Sequence, residues 1–177
     1  MSYKNENMKM IELHENGLDI QFRIRENGVV ELADFSSQEV KKAVMEPKED
    51  ICYPAVEIHR SGTGSLNMHA YKNNINQSSV DFVYENHELK AQAGGKELEI
   101  VMISPEKLKA VYHMRLFDGV PAVQTWTEII NEGSEDQGLT YVSSFMYQGI
   151  SRGGEKPYYK KNRYLCALIS WCCEHSG

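Results

Sequence analysis

The side chains that could do chemistry are scattered along this chain, and few stand at a spacing that defines a site. The six histidines include no pair two or four residues apart, so no two of them define a local pair of metal ligands. Most carboxylates fall on the polar phases of strands or in turns. Glu128, two residues after Trp126, is the exception that could act as a catalytic acid. A solvent-facing strand position explains Glu128 more simply.

Two further features match chemical motifs only in part. The glycines of segment 62–64 do not extend to the G-x-G-x-x-G pattern of a nucleotide-binding loop, and no helix signal follows them. The cysteines lack the C-x₂-C spacing of zinc sites and are interpreted as reduced thiols; they are Cys52, Cys166, Cys172 and Cys173. The sequence therefore predicts no metal site, no cofactor and no self-contained catalytic centre.

The charge balance limits the partners. Nineteen Lys and Arg stand against 25 Asp and Glu, which gives a net charge of −6. Nucleic-acid binding depends on clustered basic residues, and the densest basic run, residues 156–163 (KPYYKKNR), is short. No segment approaches the roughly 18 apolar residues of a membrane span, and the first ten residues lack the apolar core of a signal peptide. We expect a cytoplasmic protein with no nucleic-acid or membrane partner.

Strands are the elements that must position these side chains, because the dominant sequence period is two. Apolar and polar residues alternate over 18–24, which is typical of a strand with one buried face. Asn27 and Gly28 tolerate positive φ and predict a two-residue type I′ hairpin. Segments 80–84 and 88–93 are predicted to pair with each other across 85–87.

About ten such segments predict an all-β fold of antiparallel strands, either a sandwich or a barrel. No amphipathic helix longer than about ten residues is predicted, and no repeat or linker is visible. The 177 residues suit one domain. That length excludes a (β/α)₈ barrel, which needs at least about 200 residues, together with any further domain.

Three segments together resemble a known family. Residues 126–133 read W-T-E-I-I-N-E-G. Tyr53 and Pro54 precede the loop 62–67 (GTGSLN), and residues 160–163 (KKNR) precede 170–174 (SWCCE). This combination resembles the N-terminal domain of the family-36 glycoside hydrolases, the bacterial α-galactosidases, without their catalytic barrel.

The resemblance implies which residues would contact a sugar. In the family, the loop that matches 62–67 reaches a sugar site through an acid, an aromatic residue and an arginine, which Ser65, Leu66 and Asn67 replace here. The resemblance therefore implies substrate contact by Ser65, Leu66 and Asn67. It implies that Trp171 is a sugar-stacking residue.

The resemblance also implies an architecture and a role. The expected fold is a galactose-mutarotase-like β-supersandwich over residues 1–155, with residues 156–177 as a tail that begins the link to a missing barrel. The family's catalytic aspartates belong to that barrel, so no residue here inherits their roles. The expected function is that of a non-catalytic domain or fragment of an α-galactosidase-like enzyme in carbohydrate metabolism. Its expected partners are a galactoside or oligosaccharide and further copies of the chain, because apolar surface would be exposed where the barrel packs.

Two alternatives remain open. A stand-alone carbohydrate-binding module predicts an exposed aromatic patch involving Trp126 or Trp171. A mutarotase-like sugar epimerase requires an acid and a base paired across a sheet, for which the sequence offers Glu128 with His113.

Overall fold

The protein is described by a computed structural model over residues 9–37, 53–63 and 77–147. Within these ranges the chain forms nine strands and one short helix, α1 (Gln77–Val80), which lies between β4 and β5. The strands are β1 (Lys9–Glu15), β2 (Leu18–Ile24), β3 (Val30–Ser37), β4 (Ile58–Arg60), β5 (Val83–Gln92), β6 (Gly95–Ile103), β7 (Leu108–Phe117), β8 (Val120–Asn131) and β9 (Leu139–Val142).

The strands form three antiparallel sheets. Their orders are β1-β2-β3, β4-β9 and β5-β6-β7-β8, and consecutive strands pair through short turns in the first and third sheets. These sheets confirm the predicted all-β sandwich of antiparallel strands. No helix in the described ranges has the length and apolar character needed to cross a membrane.

The first and third sheets pack face to face around one core. Ile20 and Phe22 of β2 join Tyr112 and Met114 of β7 in the same buried cluster, and each is at most 1% exposed. The rings of Phe22 and Tyr112 meet edge to face, with centroids 5.7 Å apart. Burial raises the pKa of the Tyr112 hydroxyl well above its usual value. Because side chains alternate along a strand, the residues between these core positions point to the opposite faces of the sheets.

The turn at Asn27 and Gly28 differs from the prediction. Only Gly28 has positive φ there, at 84°, and the Asn27 side chain accepts a hydrogen bond from the Val29 amide at 3.2 Å. The predicted hairpin of β2 and β3 forms, but its turn is not the predicted two-residue type I′ turn. Positive φ at both central residues is found instead at Asn16 and Gly17, with values of 52° and 83°, where two residues alone separate β1 from β2.

Segments 80–84 and 88–93 do not pair with each other as predicted. Residues 83–92 form the single strand β5, which pairs with β6 along its length. The register shifts between Tyr84 and Asn86, so Glu85 is absorbed as a bulge residue rather than starting a turn. A bulge is tolerated because β5 lies at the edge of the sheet.

Candidate functional site

The outer face of the four-stranded sheet, opposite the core, brings together the most concentrated group of functional side chains in the described residues. The strand register places Glu99 of β6, His113 of β7 and Trp126 of β8 in one row. Glu97 lies two residues before Glu99 and Glu128 two residues after Trp126, so both point to the same face. Strand pairing, rather than spacing along the chain, therefore assembles this group.

His113 is the centre of the cluster. It is 7% exposed, although it lies on the face opposite the core. Its Nδ1 lies 2.9 Å from Glu97 Oε1 and 3.9 Å from Glu99 Oε1. Its Nε2 lies 3.6 Å from Glu128 Oε2, which is too long for a hydrogen bond, and this buried nitrogen has no hydrogen-bond partner in the described part of the chain.

The two nitrogens of His113 cannot both be satisfied when the ring is neutral, because a neutral imidazole carries one N–H and one lone pair. If Nδ1 carries the hydrogen, it donates to Glu97, and the Nε2 lone pair then faces the Glu128 carboxylate. If Nε2 carries the hydrogen, the Nδ1 lone pair faces the Glu97 oxygen. Each neutral form therefore leaves one lone pair opposite a carboxylate.

Trp126 fixes the plane of the His113 ring. The two rings stack nearly parallel, with centroids 4.6 Å apart and 5° between their planes. Trp126 itself is half-buried and lies on the edge strand β8. The stack therefore gives the outer face a rigid aromatic platform beside the carboxylate of Glu128, whose side chain is 57% exposed.

Lys90 of β5 supplies a positive charge at one side of the cluster. Its Nζ lies 2.5 Å from Glu99 Oε2 and 3.8 Å from Glu88 Oε2. The hydrogen bond to Glu99 is the largest of the causes that raise the pKa of Lys90. Lys90 of β5 and Arg115 of β7 are the register partners of Glu97, whose carboxylate lies within hydrogen-bond distance of His113.

The structure does not describe the predicted sugar contacts. Ser65, Leu66, Asn67 and Trp171 fall outside the described residues, as does the tail at 156–177. Among the candidate residues that the sequence analysis named, the structure brings His113 and Glu128 together, as the epimerase alternative requires. Sequence spacing gave no sign that Glu97 and Glu99 would join them.

The segment 126–133, which carries much of the family resemblance, ends in a turn with a structural role. The Asn131 side chain accepts a hydrogen bond from the Gly133 amide at 3.0 Å and donates one to the Glu135 carbonyl at 2.9 Å. A Cβ on Gly133 would lie 2.5 Å from the Glu106 carbonyl oxygen. Asn131 and Gly133 thus close the end of β8 and do not contribute to the outer-face cluster.

A second charged group, which the sequence did not indicate, lies where the loop at 62–67 begins. Arg60 is 7% exposed, and its guanidinium lies 3.0 Å from Asp81 and 2.6 Å from Glu106. Thr63 donates to the Arg60 carbonyl at 2.7 Å. These contacts anchor the start of the loop, and the buried Arg60 Nε has no hydrogen-bond partner in the described part of the chain.

The fold and site together define a class: an antiparallel all-β sandwich with a cluster of histidine, tryptophan and carboxylates on the outer face of its larger sheet. No family model matches the chain, and a search of curated proteins found no match.

Proposed function

We propose that the chain is a cytoplasmic, non-catalytic β-sandwich domain of carbohydrate metabolism, similar in role to the N-terminal domain of α-galactosidase-like glycoside hydrolases, and that its outer face contacts the sugar. The observation that carries the proposal is the half-buried Trp126 ring stacked on His113 beside Glu128. The sequence resemblance at 126–133, a segment that contains both Trp126 and Glu128, also supports the proposal.

The outer face has the two kinds of group that a sugar needs. The C–H face of a pyranose packs on an aromatic ring, because both surfaces are apolar and flat. Its hydroxyl groups donate hydrogen bonds, and ionised carboxylates such as that of Glu128 accept them. Because the stack and the strands fix the ring of Trp126, little side-chain entropy is lost when a sugar binds.

We expect calorimetric titration with galactose, melibiose or raffinose to give millimolar binding, and Trp126→Ala to weaken it about tenfold. An aromatic contact contributes up to about 1.5 kcal/mol, and about 1.4 kcal/mol corresponds to tenfold in affinity. Trp126→Phe should retain most of the binding. Tyr141→Ala, which removes a 42% exposed aromatic residue of β9, is the matched control and should bind like the parent. The absence of heat with all three sugars would contradict the proposal.

The same proposal includes two expectations about the whole chain. Turnover of p-nitrophenyl-α-galactoside should not exceed the buffer rate, since the carboxylates that the resemblance assigns to hydrolysis belong to a barrel. Self-association is also proposed, because Leu89, Val120 and Ile130 of the edge strands β5 and β8 are each more than 40% exposed. A monomer in light scattering at high concentration would contradict the second expectation.

A second candidate function is sugar epimerisation at the anomeric carbon, which the proximity of His113 Nε2 and Glu128 Oε2 favours. One group would accept the proton of the anomeric hydroxyl while the other protonates the ring oxygen, so that the ring opens and recloses. We expect Glu128→Gln to abolish any acceleration of anomer exchange seen by NMR. Exchange at the buffer rate in the parent protein would reject this candidate and leave sugar binding untouched.

A further inference from the structure

We infer that Glu97, Glu99 and His113 form a binding site for one divalent transition-metal ion, of the type of Mn²⁺ or Zn²⁺, on the outer face of the four-stranded sheet. This inference goes beyond sugar binding and does not depend on it. Metal binding is measured in the absence of sugar, so either proposal can be rejected without affecting the other.

The donor atoms are already close enough to share an ion. One ligand atom from each of the three residues lies within 4.8 Å of the other two. Two of the residues lie on β6 and the third on the neighbouring strand β7, so hydrogen-bonded backbone holds them in register. The Glu97 and Glu99 side chains are 12% and 21% exposed, which keeps the group partly buried while leaving access from solvent.

The second observation is the buried His113, whose Nε2 has no hydrogen-bond partner among the described residues. With a metal ion on Nδ1, the ring hydrogen must lie on Nε2, which faces Glu128 at 3.6 Å. Metal-binding histidines commonly donate their other N–H to a carboxylate, which fixes the ring. Glu128 has a largely exposed side chain and can move the short distance needed. Metal binding would therefore remove the conflict between lone pairs that each neutral form of His113 leaves.

The donor set indicates the class of metal. One imidazole nitrogen and two carboxylate oxygens give three protein ligands, the number found in open zinc sites, in which water takes the fourth position. The same mixture suits Mn²⁺. Ca²⁺ and Mg²⁺ are disfavoured, because they prefer sites made of oxygen ligands alone.

The carboxylates around the cluster favour a cation, whereas Lys90 of β5 and Arg115 of β7, the two register partners of Glu97, oppose it. Glu97, Glu99 and Glu128 place three carboxylates around His113, whereas Lys90 contacts only Glu99 among them. The lysine ammonium must therefore move aside or share Glu99 with the ion. Removing the charge of Lys90 should strengthen binding.

The test is titration of the full chain with Mn²⁺. Binding is measured as the loss of the free-ion signal in electron paramagnetic resonance. Mn²⁺ is chosen because thiolates select softer ions, so the cysteines do not compete. We expect one saturable site per chain. Glu97→Gln and, separately, Glu99→Gln should weaken binding tenfold or more, and Lys90→Met should tighten it.

Glu88→Gln is the matched control, since it removes one negative charge from the neighbouring strand at a side chain that is 68% exposed. It should change the affinity less than threefold, and circular dichroism should show that each variant retains the parent's sheet signal. No saturable Mn²⁺ binding by the parent would overturn the inference. Equal weakening by Glu88→Gln and Glu97→Gln would also overturn it, because it would indicate a diffuse acidic surface.

Discussion

Gly95→Ala should destabilise the protein by about 3 kcal/mol, the range of a severe steric substitution in a packed region. A Cβ at this position would lie 1.9 Å from the carbonyl oxygen of Leu116 and 2.9 Å from its carbonyl carbon. Both contacts are with the backbone of β7, so no side-chain rotation can relieve them. Gly95 begins β6 and pairs with Phe117, and the substitution should therefore separate the two strands that carry the outer-face cluster.

Gly94→Ala is the control for this experiment. Gly94 has φ of 76°, but a Cβ there meets nothing within 4 Å. Its expected cost is about 1–2 kcal/mol, from backbone conformation alone. Urea denaturation should therefore give a lower midpoint for Gly95→Ala than for Gly94→Ala, with similar slopes. Equal midpoints would contradict the close contact between β6 and the backbone of β7 at Gly95.

The strands could be predicted from the sequence because their cause is local. Alternation over 18–24 predicts a strand with the same bounds as β2. The turns were less predictable. Asn16 and Asn27 both precede glycine, and only Asn16 adopts positive φ, because the turn conformation depends on how many residues separate the paired strands.

Polar burial could not be predicted from alternation. Arg23 and Glu31 occupy polar phases of β2 and β3, yet both are 6% exposed and lie 3.5 Å apart. A distant part of the chain reaches this face, where the Tyr53 amide donates to Glu31 at 2.9 Å. Alternation indicates which residues share a face, but it contains no information about which other segments will cover that face.

The outer-face cluster was hidden for a similar reason. Glu99 and His113 are 14 positions apart in the sequence, and His113 and Trp126 are 13 positions apart. Only the hairpin register of β6, β7 and β8 aligns them. A one-residue slip of either hairpin would turn these side chains toward the core. The register could be deduced only if the turn lengths were known. The turns predicted at 27–28 and at 85–87 both differ from those in the structure.

Phe22→Ala should cost about 3–5 kcal/mol, the usual range for removing a buried aromatic ring. Phe22 is fully buried, and its ring packs edge to face with the ring of Tyr112 from the opposite sheet. The cost includes lost apolar burial and the cavity that the strands cannot fill. In a chain of this length the melting temperature should fall by about 10 °C or more.

Two control variants test whether the loss of stability comes from the volume and burial of the Phe22 ring. Phe22→Leu keeps most of the volume and should cost about 1.5 kcal/mol or less, while Phe145→Ala removes a ring that is 41% exposed and should cost about 1 kcal/mol. Tyr112 directly precedes His113 on β7, so the packing of Phe22 on Tyr112 also holds the strand that carries the cluster. If Phe22→Ala were no more destabilising than Phe145→Ala, the two sheets could not pack through Phe22 and Tyr112. The outer face would then lack the rigid support on which its chemistry depends.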